Sequence, residues 1–425
     1  MAGLEPDTGP LLYDCSFLTA PDRVHRIAAA TDFNMRILSS LSTLILATTP
    51  VLAQAQCGGE FSDFIVELKS EAIANGHTSS SVDSFFALAR QDPTVVKADR
   101  SQGVFQRPFV DFSRRLISQN RIDRGRANAK KYDMVFDQIE VEYGVSRGVL
   151  LAFWAFETDY GAVQGDFNTL NALVTLAHDC RRPELFRPQI FAALELFESD
   201  NFSPTKTTGA WAGEIGMVQM LPRDIIENGI DGDGDGHVSL KTSAPDALMS
   251  GAKMLQSLGW QPGAPWLKEV TIPPTLDLAQ TGLDHSKSVA EWAALGVSLR
   301  EGSSAVGGMQ ASVLLPQGQG GPAFLAFPNF RVYFEWNQSF VYVLTAAYFA
   351  TRLEGADRYI AGTPAQGLNS AQMKQLQAKL QTQGYDVGKV DGILGAGTRA
   401  AVQAEQIRLG LPADAWPTPE LLGRL

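Results

Sequence analysis

Apolar residues recur at helical spacing along the chain from Glu60 to about Leu258. Phe61, Phe64 and Leu68, for example, would share one face of a helix. Strand-like alternation of apolar and polar residues is scarce in this region. We therefore predict a helical domain that occupies roughly half of the 425 residues.

The sequence changes character between about 270 and 334, where short apolar runs such as Val270-Thr-Ile are separated by Gly, Pro and Ser. This pattern is typical of short strands joined by turns, and it predicts a small β-rich subdomain. A helical pattern resumes from Ser339 to Leu353. The expected fold class is mainly α (α+β), with the main domain over residues 56–354.

Two further segments follow the main domain. Residues 355–369 contain Gly-Thr-Pro-Ala-Gln-Gly and are predicted to be a linker. Residues 370–425 begin with an apolar stripe that includes Leu376 and Leu380, and Thr398 is the expected N-cap of a second helix. They predict a compact helical module.

The composition is that of an ordinary globular protein with an acidic balance. The chain carries a formal charge of -11, with 45 % hydrophobic and 19 % charged residues. Nucleic acids and anionic lipids are bound through clustered Lys and Arg. The charge therefore argues against nucleic acid as a partner.

The N-terminal region predicts export. Met35-Arg36 is a charged start, an apolar run from Leu41 to Leu46 follows, and Ala53-Gln54-Ala55 has the form of a cleavage site. We interpret residues 1–55 as an upstream extension and signal peptide with Met35 as the start, and we expect a periplasmic protein. A membrane anchor is the alternative, but the apolar run is short and rich in Ser and Thr.

Cys57 and Cys180 are the two cysteines that remain after the predicted cleavage. In an oxidising compartment they are expected to form one disulfide, and the alternative is two independent buried thiols. Lipidation of Cys57 is disfavoured because Gln56, and not a small residue, precedes it. We expect a soluble monomer without a transmembrane anchor.

Glu157 follows a run of six apolar residues, Leu151 to Phe156, and lies ahead of Gly161, a residue suited to stopping a helix. A carboxyl group held against apolar side chains resists ionisation, which suits it to be a general acid near neutral pH. The alternatives are a buried ion-pair partner and an outward-pointing carboxylate.

A second carboxylate would be needed by a two-acid glycosidase, roughly 5 to 10 Å from the first. Asp159 is a poor partner, because it would lie about 200° around a helix from Glu157. Asp166 and Glu214 remain possible second acids.

The segment from Gly209 to Pro222 combines closely spaced glycines with Trp211 and Gln219. Such a segment lets a polysaccharide approach the backbone, while the amide of Gln219 supplies a donor and an acceptor. The alternative is a site of tight helix packing.

An Asp-Gly repeat resembles a cation-binding loop. Asp231, Asp233 and Asp235 stand at positions 1, 3 and 5 of an EF-hand loop, and His237 would offer its backbone carbonyl. Position 12 is Thr242 in place of Glu. The spacing predicts a structural calcium or sodium site, with a plain Asp-Gly turn as the alternative. No cofactor is expected for chemistry.

The order of these motifs resembles the membrane-bound lytic murein transglycosylase B family from Cys57 to Leu353. The residues that carry the resemblance are Trp154 to Gly161, Leu170 to Ala177, Arg181-Arg182-Pro183, Trp211 to Pro222, Asp231 to Leu240, and Asn337-Gln-Ser with Tyr342. It implies a lysozyme-like catalytic domain in which Glu157 acts alone on peptidoglycan glycan strands. Glu157 would protonate the β-1,4 oxygen between N-acetylmuramic acid and N-acetylglucosamine, and then take a proton from the C6 hydroxyl as a 1,6-anhydro ring closes.

The resemblance also assigns roles to residues around the sugar. Gln219, Asn337 and Tyr342 would line the cleft. Arg181 and Arg182 would contact acidic parts of the substrate, although without the resemblance this pair fits a solvated turn equally well.

Two further positions follow from the same resemblance. Asp246 would complete the cation site, one residue further along than is usual. Ala210 stands where many members carry a Ser, and the resemblance implies that this hydroxyl would hold the muramic N-acetyl group.

The C-terminal residues resemble the peptidoglycan-binding three-helix domain. The matching motifs are Leu376-Gln377, Gly384-Tyr385, Val390 to Gly395 and Thr398 to Val402. Glu405 stands where that family usually has an aromatic residue. We expect the module to hold the enzyme on the wall without taking part in chemistry. The alternatives for the whole chain are a hydrolytic muramidase, a non-catalytic peptidoglycan-binding scaffold and a calcium-responsive binding protein.

Overall fold

A computed structural model describes residues 56–101, 107–300 and 306–425. Within these ranges the chain forms seventeen α-helices and seven short strands, which confirms the mainly helical fold class. The predicted signal peptide lies outside the described residues. In the same ranges, no helix combines the length and the apolar character needed to cross a membrane.

Eleven helices precede the main sheet. They are α1 (Phe61–Ala74), α2 (Ser79–Phe86), α3 (Pro93–Asp99), α4 (Phe109–Leu116), α5 (Gln119–Lys131), α6 (Asp133–Tyr143), α7 (Arg147–Thr158), α8 (Thr169–His178), α9 (Pro183–Glu198), α10 (Pro222–Asn228) and α11 (Ala244–Ser257). A short antiparallel ribbon pairs β1 (Phe167–Asn168) with β2 (Thr208–Gly209). The apolar faces of these helices share one core, as their helical periodicity predicts.

A five-stranded antiparallel sheet follows, in the spatial order β4-β6-β7-β3-β5. Its strands are β3 (Leu267–Thr271), β4 (Lys287–Ser288), β5 (Ser298–Leu299), β6 (Gln310–Leu314) and β7 (Ala323–Ala326), and α12 (Val289–Ala294) lies beside it. Trp292 of α12 is buried in the subdomain's own core, where its indole nitrogen donates to Ala311 O at 2.8 Å.

The chain then returns to the helical core through α13 (Pro328–Trp336) and α14 (Phe340–Leu353). The β-rich part ends earlier than the predicted boundary of about 334, because Pro328 fits the first position of a helix and starts α13. Helix α14 packs along α7.

The C-terminal module consists of α15 (Ser370–Thr382), α16 (Ala396–Leu409) and α17 (Pro419–Arg424) around a core of its own. Thr398 is not the N-cap of α16: that position is Gly395, and the Thr398 side chain is buried. Glu405 is buried as well and pairs with Arg408, while it accepts a hydrogen bond from Tyr385 at 2.9 Å. These two partners allow a carboxylate to replace the aromatic residue.

The segment between α14 and α15 has no helix or strand, yet it packs along the main domain. Tyr359 is hydrogen-bonded to Ser113 at 2.8 Å, and the Thr363 N–H donates to Gly320 O at 2.8 Å. The indole nitrogen of Trp416 donates to Ala365 O at 2.9 Å. The segment predicted to be a linker thus has no helix or strand of its own, and these contacts hold it against the main domain and the module.

Cys57 and Cys180 form a disulfide with their Cα atoms 5.1 Å apart. The Gly58 N–H donates to His178 O at 2.9 Å beside it. The first described residues are thereby joined to the loop between α8 and α9.

Candidate active site

Helix α7 carries Glu157 into the centre of the helical domain. Every residue from Gly148 to Thr158 is buried, and Glu157 is only 1 % exposed. The carboxylate of Glu354 caps the start of α7 by accepting from the Ser146 hydroxyl and the Gly148 N–H. These polar contacts fix the start of the helix that carries Glu157.

The end of α7 depends on Asp159, which adopts a left-handed backbone with φ of 50°. Tyr160 and Gly161 continue this conformation, at 60° and 83°. Asp159 tolerates it because two guanidinium groups hold its carboxylate, Arg121 at 3.0 Å and Arg124 at 2.6 Å. Burial alone would raise the pKa of Asp159, but these hydrogen bonds bring it below its usual value. Asp159 is therefore engaged in ending the helix and in two ion pairs.

Two aromatic donors converge on Oε1 of Glu157. The Tyr342 hydroxyl donates at 2.6 Å and the Trp336 indole nitrogen donates at 3.0 Å. The rings are held by α7 itself, since Phe153 stacks on Trp336 with centroids 4.2 Å apart and Phe156 contacts Tyr342 at 5.9 Å. This arrangement fixes the carboxyl group in one orientation.

Burial raises the pKa of Glu157 from 4.5 to about 7, although the hydrogen bonds from Tyr342 and Trp336 lower it. Desolvation outweighs the two donors, since a buried carboxylate loses its hydration. A carboxyl group with this pKa exchanges its proton readily at neutral pH, which is what a general acid that later acts as a base requires.

Glu214 is a second buried carboxyl group close to the first. It is 1 % exposed, and burial raises its pKa to about 8. Nearby backbone N–H groups and Arg182 lower that pKa, while the charge of Glu157 raises it. Glu214 is therefore mostly protonated at neutral pH. Asp166, the other possible second acid, is exposed.

The segment from Gly209 to Pro222 lies against the end of α7, where the Thr158 hydroxyl donates to Met217 O at 2.7 Å. A Cβ at Gly209 would collide with the carbonyl oxygen of Glu214, so the close approach of the chain requires glycine. Gln219 has a left-handed backbone with φ of 55°, and its Nε2 donates to Gly216 O at 2.7 Å. Its side chain is half-buried at the edge of the segment.

Trp211 is grouped with Gln219 in the segment predicted to bind the polysaccharide, and a direct contact between Trp211 and sugar stays a prediction. Its side chain is only 3 % exposed and belongs to the main apolar core. A large aromatic side chain in this tight segment is buried because that removes much apolar surface from water. Trp211 anchors the segment that carries Gln219.

Asn337 directly follows Trp336 and is 2 % exposed. Its Oδ1 accepts from the Ser339 N–H at 2.8 Å, and its Nδ2 has no hydrogen-bond partner among the described residues. A buried amide with an unused donor is costly unless another group binds it. Asn337 therefore has a donor to offer a ligand.

Arg181 and Arg182 both form ion pairs with the buried carboxylate of Asp99. The two Arg residues therefore do not form the solvated turn that was the alternative interpretation. The expected substrate contacts would need guanidinium groups that Asp99 already engages. The charge of Arg182 also lowers the pKa of Glu214.

The Asp-rich loop brings together three carboxylates, from Asp231, Asp233 and Asp246, with an oxygen from each within 4.8 Å of the others. The backbone wraps around them, since Asp246 Oδ1 accepts from the Gly232 N–H at 2.9 Å. Asp235 does not belong to this cluster: its Oδ1 accepts from the His237 N–H at 2.9 Å instead. The expected ligand role of Asp235 is therefore not supported by its position.

Sequence reasoning missed Trp336. It precedes Asn337, but nothing local marks it as a partner of a residue 179 positions earlier. Only the packing of α13 against the aromatic face of α7 creates that contact.

Comparisons with known proteins agree on the family. The Transglycosylase SLT domain family matches residues 60–351, and the Putative peptidoglycan binding domain family matches residues 369–425. The membrane-bound lytic murein transglycosylase B of Escherichia coli (strain K12) is 26 % identical over 243 residues, which is 56 % of this chain. The match spans 64 % of that relative, slightly less than two thirds of its length.

Solved structures show the same fold. SltB3 from Pseudomonas aeruginosa, in complex with NAG-anhNAM-pentapeptide, aligns with a TM-score of 0.79 and 36 % identity over 86 % of this chain and 99 % of that one. A second structure of that protein contains NAG-NAM-pentapeptide. The Escherichia coli lytic transglycosylase Slt35 in complex with calcium aligns with a TM-score of 0.60 and 23 % identity, covering 71 % of this chain and 96 % of Slt35.

Proposed function

The chain belongs to the transglycosylase SLT domain family, and from this premise we propose that it is a lytic transglycosylase of peptidoglycan with Glu157 as its only general acid and base. One observation carries the proposal: Glu157 is a buried carboxyl group with a pKa of about 7, oriented by two aromatic donors. That combination suits one group to both proton transfers.

The reaction uses Glu157 twice. Protonated Glu157 gives its proton to the glycosidic oxygen as the bond from muramic C1 to that oxygen breaks. The resulting carboxylate accepts the proton of the muramic C6 hydroxyl, and O6 bonds to C1 to close the 1,6-anhydro ring. Glu157 is protonated again, and no water is consumed.

The hydrogen bonds from Tyr342 and Trp336 serve the second half of this cycle. Both donate to Oε1, so they stabilise the carboxylate that exists between the two transfers. Desolvation opposes them and keeps the acid form accessible at the start. The pKa near 7 is the balance of the two effects.

A hydrolytic muramidase is disfavoured because it needs a second, ionised carboxylate aligned on a water molecule. Glu214 is buried and its pKa of about 8 keeps it mostly protonated, while Asp166 is exposed on the surface. Neither therefore fits the general base of hydrolysis.

Gln219 and Asn337 are proposed to bind the glycan beside Glu157. Gln219 lies two residues beyond Met217, which is bonded to the end of α7, and Asn337 lies between Trp336 and the helix that carries Tyr342. The unused Nδ2 donor of Asn337 fits a sugar hydroxyl or N-acetyl oxygen.

The function is tested with Glu157→Gln, which keeps the shape of the side chain and removes its proton. We expect digestion of purified peptidoglycan to fall by at least about a hundredfold, because general acid–base catalysis contributes that much or more. Glu214→Gln is the matched control, since it makes the same change at the neighbouring buried carboxyl. More than about a tenth of the activity left in Glu157→Gln, or an equal loss in Glu214→Gln, would contradict the assignment.

The Asp-rich loop is proposed to hold a structural calcium ion through Asp231, Asp233 and Asp246. Three carboxylate oxygens within 4.8 Å suit a hard cation, which relieves the repulsion between them. The His237 backbone carbonyl remains a candidate fourth ligand. The ion would fix the chain between the Gln219 segment and α11 and take no part in chemistry.

The periplasm is the proposed location. The disulfide between Cys57 and Cys180 fits an oxidising compartment, and the proposed substrate is the wall itself. The C-terminal module is proposed to bind that wall.

A further inference from the structure

The C-terminal module contacts the main domain through one face of α16 and the turn after it. Gln403 Nε2 donates to the carbonyl oxygens of Leu278 and Thr281, both at 3.1 Å. In the opposite direction, the Gln319 N–H of the main domain donates to Asp414 Oδ2 of the module at 3.0 Å. These contacts join the module to the β-rich subdomain.

Arg399 of α16 reaches past the subdomain to the helical core. Its Nη2 donates to Pro316 O at 2.7 Å, and its guanidinium lies 4.3 Å from the centroid of the Phe340 ring. Burial lowers the pKa of Arg399, while the carboxylate of Asp414 opposes that effect. A cation over an aromatic ring is bound more strongly when water is removed from it.

Phe340 begins α14 and lies within the turn that completes the active site. The Asn337 Oδ1 accepts from the Ser339 N–H at 2.8 Å, and Ser339 is the N-cap of α14. Phe340 is 6 % exposed, and two residues later Tyr342 donates to Glu157 at 2.6 Å. Arg399 contacts Phe340, the backbone of the first turn of α14 joins Phe340 to Tyr342, and Tyr342 is hydrogen-bonded to Glu157.

Phe340 also belongs to the main apolar core, where its ring centroid lies 6.3 Å from that of Phe334. A cavity of about 480 Å³ lies beside the contact, lined by residues of α13, of the start of α14 and of α16. Arg399 and Phe340 both line this cavity, so their cation–π contact bridges α16 and the start of α14 at its edge.

We propose that Arg399 is a positioning residue for the active site, so that the wall-binding module is part of the catalytic machinery as well as an anchor. Arg399 holds Phe340, which fixes the turn from Asn337 to Tyr342 and keeps the Tyr342 hydroxyl on Glu157. The inference rests on the proposed role of Glu157.

The test uses the full chain with Arg399→Met, Arg399→Lys and Gln403→Ala. Arg399→Met keeps length but removes the cation, and Arg399→Lys restores a cation. Gln403→Ala is the matched control, because it removes docking hydrogen bonds on the same helix without touching Phe340. The kcat and KM are measured on soluble peptidoglycan fragments across pH, together with amide hydrogen exchange.

We expect Arg399→Met to lower kcat by about three- to tenfold, because small losses of positioning cost that much or more. The alkaline limb of the pH–rate profile of Arg399→Met should move to higher pH. A looser hydrogen bond from Tyr342 lets the pKa of Glu157 rise further. The neighbouring groups that face Glu157, Trp336 and Glu214, are unchanged in this variant. Arg399→Lys should recover much of the loss, and Gln403→Ala should behave as the wild type.

Amide hydrogen exchange tests the positioning role of Arg399 independently of any lytic activity. Amides from Ser339 to Val343 should exchange faster in Arg399→Met than in the wild type or Gln403→Ala, whether or not the chain shows lytic activity. Absent activity in the wild type would refute the proposed function alone. Wild-type exchange and kcat in Arg399→Met, or the same losses in Gln403→Ala, would overturn the positioning role.

Discussion

Replacing Glu157 by Gln is expected to stabilise the protein at neutral pH while it removes activity. Glu157 is buried with a pKa of about 7, whereas in the unfolded chain its pKa is near 4.5. The folded state therefore resists ionisation of this group. The cost of keeping it buried is small at low pH and grows as the pH rises through the range between the two values.

The size of the effect follows from these two pKa values. At pH 5 the burial of Glu157 costs about 1 kcal/mol of unfolding free energy, and at pH 7 it costs about 3 kcal/mol. Gln cannot ionise and has nearly the same shape. The stability gained by Glu157→Gln over the wild type should therefore increase by about 2 kcal/mol between pH 5 and pH 7.

The measurement is urea unfolding of both proteins at pH 5, 6 and 7, with the difference in unfolding free energy plotted against pH. Asp159→Asn is the control, because its carboxylate has a lowered pKa and stays ionised over this range. The loss of unfolding free energy caused by Asp159→Asn should be the same at all three pH values. Glu214 titrates in every variant, so most of its contribution cancels.

A stability difference for Glu157→Gln that is the same at pH 5 and pH 7 would show that Glu157 ionises at its ordinary pKa in the folded protein. Burial would then not prepare this group for acid catalysis, even if the variant were inactive. If the stability difference grew with pH only in Asp159→Asn, then Asp159 and not Glu157 would be the carboxyl group with the raised pKa.

Three further results are expected. Glu214→Gln should keep turnover at pH 7 within about threefold of the wild type, because the native group is mostly protonated there and the amide is also neutral; a loss like that of Glu157→Gln would give Glu214 a role in catalysis. Tyr342→Phe should move the alkaline limb of the pH–rate profile upward, since the lost hydrogen bond was lowering the pKa of Glu157; an unmoved limb would show that this contact does not set the pKa. Calcium at a hundred times its Kd should stabilise the wild type by about 2.7 kcal/mol and leave Asp233→Ala unchanged, and melting temperatures of the wild type that ignore both calcium and chelator would exclude the cation site.

Local chemistry made part of this site predictable from the sequence. The apolar run before Glu157 is one stretch of helix, so its burial and raised pKa follow from neighbours in the chain. The periodic apolar faces likewise predict the helical core. Asp231 and Asp233 are separated by one glycine, and a tight loop brings such neighbours together without help from distant parts of the fold.

Contacts between distant segments account for what the sequence did not reveal. Trp336 reaches Glu157 only because α13 packs on α7, and Arg181 and Arg182 are paired with Asp99, which lies about eighty residues earlier. Trp211 is buried by the surrounding core. No local sequence pattern distinguishes such a buried Trp from one that stacks on a sugar. The docking of α16 depends in the same way on backbone carbonyls of loops whose position is set by the sheet.

The most direct test of the account is the mass of the products that the wild-type protein releases from purified peptidoglycan. A single buried group that acts as both acid and base predicts muropeptides that end in 1,6-anhydro-N-acetylmuramic acid, each lighter by one water than the hydrolysed product. Products with reducing N-acetylmuramic acid ends would contradict it, because they would require a water molecule activated by a second group.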